Sequence, residues 1–359
     1  MNASSDIFSK TNERINLVLP IALLLLLVLG VSADRYFQSL FGSSSLLAQR
    51  LFADILFLNV THNAFTVMMI ASFPELRPWA MEQGRGSAGR FVLKAVTIFF
   101  GLFVFFLAAL LSDSKWLFAA FGIATIFFPI QHAIAQSLGL SLVYNSKTLE
   151  ETVKKRRTEW FERRLVLALI VLIVGSVLAI QSNVFWPNVF LPNFFSVELH
   201  RGSFGLSTSS ALFRLALGLG FVIVGLMFFY PRQIRAKKTV FALRFPIWAY
   251  SLVSPLGLFA TQIIHGLEYL FVVRKMASAS RFDRWKSATL FLLFVVIVFG
   301  IFRVVYFDGS IVSRAEAPVW LSVLAALSTA FSFLHYYLDR ELFLMRRPTN
   351  QQTVGRLLK

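Results

Sequence analysis

What most constrains this chain is a succession of apolar runs, each about as long as a bilayer is thick, parted by short basic stretches. The run FVLKAVTIFFGLFVFFLAALL, from Phe91 to Leu111, holds a single charge, Lys94. A helix needs about 20 such residues to cross the hydrocarbon core, and in lipid only helices and closed barrels satisfy their own backbone groups. The runs predict an all-α, polytopic membrane protein with spans near 15–33, 46–73, 91–112, 116–144, 165–185, 211–230, 287–307 and 318–345. Composition agrees, since 57% of residues are hydrophobic and 15% charged, whereas a soluble domain is about a quarter charged.

Segment 240–274 is long for one crossing and short for two, and Pro246, Pro255 and Gly257 can interrupt it. Charge decides between the readings. With Lys10 and Arg14 cytoplasmic, the basic connections 74–94, 145–164 and 231–239 also fall inside, and 112–115 and 186–210 fall outside. The next basic cluster, Arg274 to Lys286, is cytoplasmic only if 240–274 enters and returns as a hairpin turning near Ser254–Gly257. The tail with Arg346, Arg347, Arg356 and Lys359 then ends inside, giving about ten membrane segments, N-in and C-in, as a single helical domain over 1–359. Such a chain suits a bacterial inner membrane. The first run ends in VSA before Asp34, which resembles a signal peptide, but an uncleaved first helix is expected. Residues 147–164 read as a cytoplasmic connector and 186–210 as an outer interfacial loop in which His200 is an ordinary loop residue.

The net charge of +17 would suggest nucleic acid in a soluble protein. Here the cations sit between apolar runs, where orientation and lipid headgroups explain them, and nucleic acid is set aside. Without cysteine there is no disulfide framework and no thiolate ligand or nucleophile. Walker and G-x-S-x-G signatures are missing as well.

The histidines are the chemistry-bearing residues. Of five, four fall within predicted spans: His62, His132, His265 and His335. All four spans run from outside to inside under this topology. Each histidine precedes its cytoplasmic boundary by about 9–13 residues, so all four lie roughly 15–20 Å from that boundary. A lone intramembrane histidine is most often a hydrogen-bonding residue between helices. Four at one depth point to a metal site.

Their neighbours fit that chemistry. Asn63 follows His62, Gln136 lies four residues after His132, Glu268 and Tyr269 lie three and four after His265, and Asp339 lies four after His335. Spacings of three and four share a helix face, where an amide or carboxylate either ligates or holds the tautomer of a ligating imidazole. Arg50, Asp54 and His62 form a polar stripe on one helix. Ionisable groups at such depth are costly and face a bundle interior. The expected ligands are therefore His62, His132, His265 and His335. The expected supports are Asn63, Gln136, Glu268, Asp339 and Asp54, with Glu268, Asp339 and Tyr269 as candidate catalytic groups.

A histidine site with carboxylates and no sulfur suits iron, copper, manganese or zinc, and non-haem iron enzymes combine these ligands with positions open to oxygen. A site inside the membrane takes a lipophilic substrate from the bilayer. The leading expectation is an integral-membrane, iron-dependent oxidoreductase. The helical body with THN, QHAIAQ, HGLEY and HYYLD resembles the Brp/Blh-type membrane carotene dioxygenases, a resemblance that implies iron held by intramembrane histidines. Carotene cleavage is not carried over, because each helix here has one histidine. The His boxes of membrane desaturases are absent. A bis-histidine haem protein is the first alternative: the spread of four histidines over four helices is similar to haem A synthase, whose Glu-x-x-His-Arg signature is missing. The second is a proton-coupled transporter built around Asp54, Glu268 and Asp339 with helices broken at Pro246 and Pro255.

Overall fold

The computed structural model describes residues 62–112, 114–146, 164–173, 255–280, 318–344 and 347–357, with 218–219, 222, 244, 247–248 and 292. Every element among them is helical. The predicted spans 15–33, 211–230 and 287–307, the connector 147–164, the outer loop 186–210 and Asp54 lie wholly or almost wholly outside the described residues.

Helix α1, His62–Ser72, stops where Phe73 turns extended (φ −92°, ψ 107°) ahead of Pro74, as steric clash with a following proline requires. Pro74–Leu76 forms a 3₁₀ turn, and Pro78 sits in the first turn of α2, Arg77–Gln83. The stretch 74–94, expected as a plain connection, is thus largely helical. Its prolines have φ values suited to first turns, so they divide the helices without preventing them. Arg85 (φ 51°) and Gly86 (φ 91°) then reverse the chain. A Cβ on Gly84 would lie 1.9 Å from the Ser87 carbonyl oxygen and 2.7 Å from Phe91 N, so only glycine fits this turn. The reversal brings Trp79 edge-on to Phe91, with ring centroids 5.1 Å apart.

Helix α3, Ala88–Leu111, begins with Ser87, whose side chain accepts from Arg90 N at 3.5 Å. Helix α4, Lys115–Ser146, contains Pro129. Helix α5 is Arg164–Ile173, α6 is Pro255–Ala279 and α7 is Val319–Leu342. The short α8, Pro348–Gln352, and α9, Val354–Leu357, follow. These helices overlie the predicted spans 91–112, 116–144 and 318–345 within a few residues. Helix α6 starts at the predicted hairpin tip and runs five residues past the predicted end at 274.

Two described helices, α3 and α7, are long and apolar enough to cross a membrane. Only 11% of the most apolar window of α3 is buried, and Val92, Leu93, Val96, Phe100 and Val104 stand exposed along it. So large an exposed apolar stripe suits lipid rather than water.

The chain falls into two compact units. One takes in the described residues up to and including Gly122 and those from Gly266 onward, the other those from Ile123 to His265, so α4 and α6 each have a part in both. In the first unit α7 lies along α3, the most extensive helix pairing described, and also meets α1. Its buried face carries Ser322, Ala325, Ala326 and Ala330, small residues that let helix backbones approach closely in a membrane. Phe106 packs edge-on against Phe121 and Phe333 at 5.2 and 4.9 Å, joining α3, the start of α4 and α7. The amide of Asn350 donates to the carbonyls of Glu341 and Leu342 at 2.7 and 2.8 Å, closing the C-terminal end of α7. In the second unit, Leu169, Ile170 and Ile173 of α5 are buried.

Candidate metal centre

Contacts in the first unit fix the register of three helices. His62 Nε2 of α1 lies 3.1 Å from His335 Nε2 of α7, with rings 4.7 Å apart and near-perpendicular at 83°. One turn further along, Thr66 Oγ1 of α1 donates to Asp339 Oδ1 of α7 at 2.7 Å. Residue 62 meets 335 and residue 66 meets 339, so α1 and α7 run parallel and in step. Tyr269 of α6 joins the same level: its Oη donates to Asp339 Oδ1 at 2.9 Å and makes a close hydroxyl contact with Thr66 Oγ1. Ser280, just past α6, donates to Glu75 Oε2, just past α1, at 2.6 Å. The C-terminal ends of α1 and α6 are therefore level too, and all three helices point the same way.

The site thus has two tiers. The first holds imidazoles, and the second, one helical turn on, holds Thr66, Tyr269 and Asp339. Thr66 also lies 2.7 Å from His335 Nδ1. The Asp339 carboxylate reaches His335 Nε2 only at 3.5 Å. His62 packs against the Tyr269 ring with centroids 5.3 Å apart.

The second unit carries a pair of matching geometry. His132 of α4 and His265 of α6 stand 4.7 Å apart at 82°. Gln136, one turn after His132, donates from Nε2 to the His265 carbonyl at 3.3 Å and so fixes α4 against α6.

One ring nitrogen from each of His62, His132, His265 and His335 lies within 4.8 Å of the other three. All four side chains are buried, His335 completely. Ligands at about 2.0–2.1 Å from a metal lie about 3.3–3.4 Å apart at the corners of a tetrahedron. The observed 3.1 Å contact and the 4.8 Å limit bracket that edge, so the four imidazoles could hold a metal ion. Four neutral imidazoles suit zinc, copper, iron or nickel, and nothing in the donor set singles out one of them.

The structure brings together all four predicted ligands and places Gln136, Tyr269 and Asp339 beside them. Glu268 is buried on α6. Asn63 does not support His62: its amide donates to Ser332 Oγ on α7 at 3.0 Å. Thr66 was not foreseen, although it stands four residues after His62, at the spacing that singled out Gln136, Tyr269 and Asp339. Compared with protein-family models, with curated proteins and with solved structures, the chain has no match.

Proposed function

We propose that the chain is a multi-pass membrane protein that holds a metal ion, iron in our reading, on His62, His132, His265 and His335, and that it oxidises a lipophilic substrate drawn from the bilayer. The observation carrying the proposal is the set of four buried imidazole nitrogens within 4.8 Å of one another. Such a set is costly to keep in an apolar interior without a ligand, because imidazoles facing one another at 3.1 Å need a shared proton or a cation between them. The proposed resemblance to the Brp/Blh-type enzymes rests on the same residues.

Haem fits less well. Two axial imidazoles stand on opposite faces of a porphyrin with iron between them, about 4 Å apart at Fe–N bonds of about 2 Å. His62 and His335 are in direct contact at 3.1 Å, edge to face, which leaves no plane for a macrocycle. When bound, iron would supply redox chemistry and a coordination position for oxygen. The chain's own residues would supply the rest: imidazoles that ligate, a Thr66–Tyr269–Asp339 tier that orients them, and an apolar surround that excludes water.

The ten-segment, N-in and C-in topology, in a bacterial inner membrane, is part of the same proposal. It is supported by the parallel run of α1, α6 and α7, because a single crossing at 240–274 would reverse one of these helices.

Metal analysis with an absorption spectrum of protein purified in detergent tests the function. Stoichiometric iron without a Soret band is expected. A Soret band would turn the reading to haem, and the absence of any bound metal would favour a transporter.

A further inference from the structure

We infer that Thr66 is a positioning residue that holds His335 as the Nδ1–H tautomer, so that the Nε2 lone pair faces the other imidazoles. The inference deepens the metal-site reading, but it is argued from proton bookkeeping alone.

Four contacts meet around Thr66 Oγ1 and Asp339 Oδ1. Thr66 reaches Asp339 at 2.7 Å, His335 Nδ1 at 2.7 Å and Tyr269 Oη in a close contact, and Tyr269 reaches Asp339 at 2.9 Å. An ionised carboxylate only accepts, and each hydroxyl has one proton to give. Thr66 and Tyr269 both direct theirs at Asp339 Oδ1. Thr66 has then spent its only proton, and its contact with His335 Nδ1 is a hydrogen bond only if the imidazole donates. With Nδ1–H, three protons serve three of the four contacts. With the proton on Nε2, two protons serve two, and two contacts set lone pair against lone pair instead of one.

The consequence lies on the other side of the ring. A neutral imidazole protonated at Nδ1 has a bare Nε2, and that atom lies 3.1 Å from His62 Nε2. In the metal-free protein His62 donates to it. His335 would then offer a lone pair to a cation held at the site, and His62 would ligate with its proton on the other ring nitrogen. Asp339 works through Thr66 rather than by touching the ring, since its own approach to His335 Nε2 is long at 3.5 Å. The chain is carboxylate, hydroxyl, imidazole, with the threonine as an inserted link in the familiar carboxylate–histidine support of metal ligands.

The test is the ¹⁵N spectrum of histidine-labelled, full-length protein stripped of metal by a chelator, with the His335 signals assigned by their loss in His335→Gln. The wild type is expected to show a protonated Nδ1 and a bare Nε2 at His335. Thr66→Val, which removes the acceptor, is expected to move the proton to Nε2, and Thr66→Ser to restore the wild-type pattern. A protonated Nε2 in the wild type, or a valine variant identical to the wild type, would overturn the assignment, and the wild-type spectrum decides even where the valine variant does not fold. Zinc titration adds a second readout: Thr66→Val is expected to weaken binding by about 10–100-fold, with Thr66→Ser within a few-fold of wild type. If the wild type shows the predicted tautomer but takes up no zinc, iron or other divalent metal, the metal reading fails while the role of Thr66 stands.

Discussion

Asn63 and Thr66 show how a side chain's angle around its helix governs its role. A helix turns about 100° per residue, so Asn63, beside His62 in sequence, faces away from the imidazole edge and toward Ser332. Thr66, a full turn later, returns to the histidine's side and meets His335. The four histidines were legible in the sequence because an ionisable group in an apolar run is rare and costly. A threonine in such a run is common and can satisfy its hydroxyl on its own backbone, as Thr97 does at 2.9 Å to the Leu93 carbonyl, so only its tertiary partners mark Thr66. Asp339 offers a sharp prediction at this scale. Thr66 and Tyr269 both donate to its Oδ1, which suits the supporting role proposed for it rather than ligation. Asp339→Asn should lower metal occupancy by about 10–100-fold while leaving some bound, and His335→Ala or His265→Ala should empty the site. Metal content measured on protein that still purifies as a folded species checks this, and equal emptiness of the aspartate and histidine variants would make Asp339 a ligand.

Helices α3, α4 and α7 were legible because long apolar runs leave little choice of structure, and their ends came within a few residues. Helix α2 was not. Seven residues with an N-terminal proline and flanking charges show too little periodicity to stand out, and it persists because Trp79 is fully buried against Phe91. The turn that makes this packing possible is the weak point. Gly84→Ala sets a Cβ against the Ser87 carbonyl at 1.9 Å, so the backbone must shift. A loss of about 1–3 kcal/mol is expected in unfolding of detergent-solubilised protein. At the same end of the first unit, where the helix of Asn350 meets α2, Asn350→Ala strips the carbonyls of Glu341 and Leu342 of their buried donor, with an expected cost of about 1–3 kcal/mol. Neither residue touches the imidazoles, so metal per folded molecule should not change in either variant.

For the whole molecule, the proposed topology places the ends of α6 and of the chain on one side. The protein lacks cysteine, so single cysteines report without background. Ala279→Cys and Arg356→Cys, both at exposed positions, should be labelled only from the cytoplasmic face of intact cells or oriented vesicles. Labelling of position 279 from outside would overturn the hairpin at 240–274. Charge predicts the proposed sidedness and apolarity marked helices α3, α4 and α7, but neither reveals the pairing of helices, because pairing depends on which faces meet and apolar faces are interchangeable in pattern. The four ligands come from helices strung across most of the chain, the last of them in Val319–Leu342. On the proposed reading, three imidazoles would enter the membrane before the fourth had been translated, together with the aspartate proposed to support it. A cation captured at that stage would meet an incomplete and unoriented set, so on the proposed reading loading would wait for residues through Asp339. Nascent chains stalled before residue 319 should insert yet fail to retain metal through purification, whereas release of the full chain should restore retention.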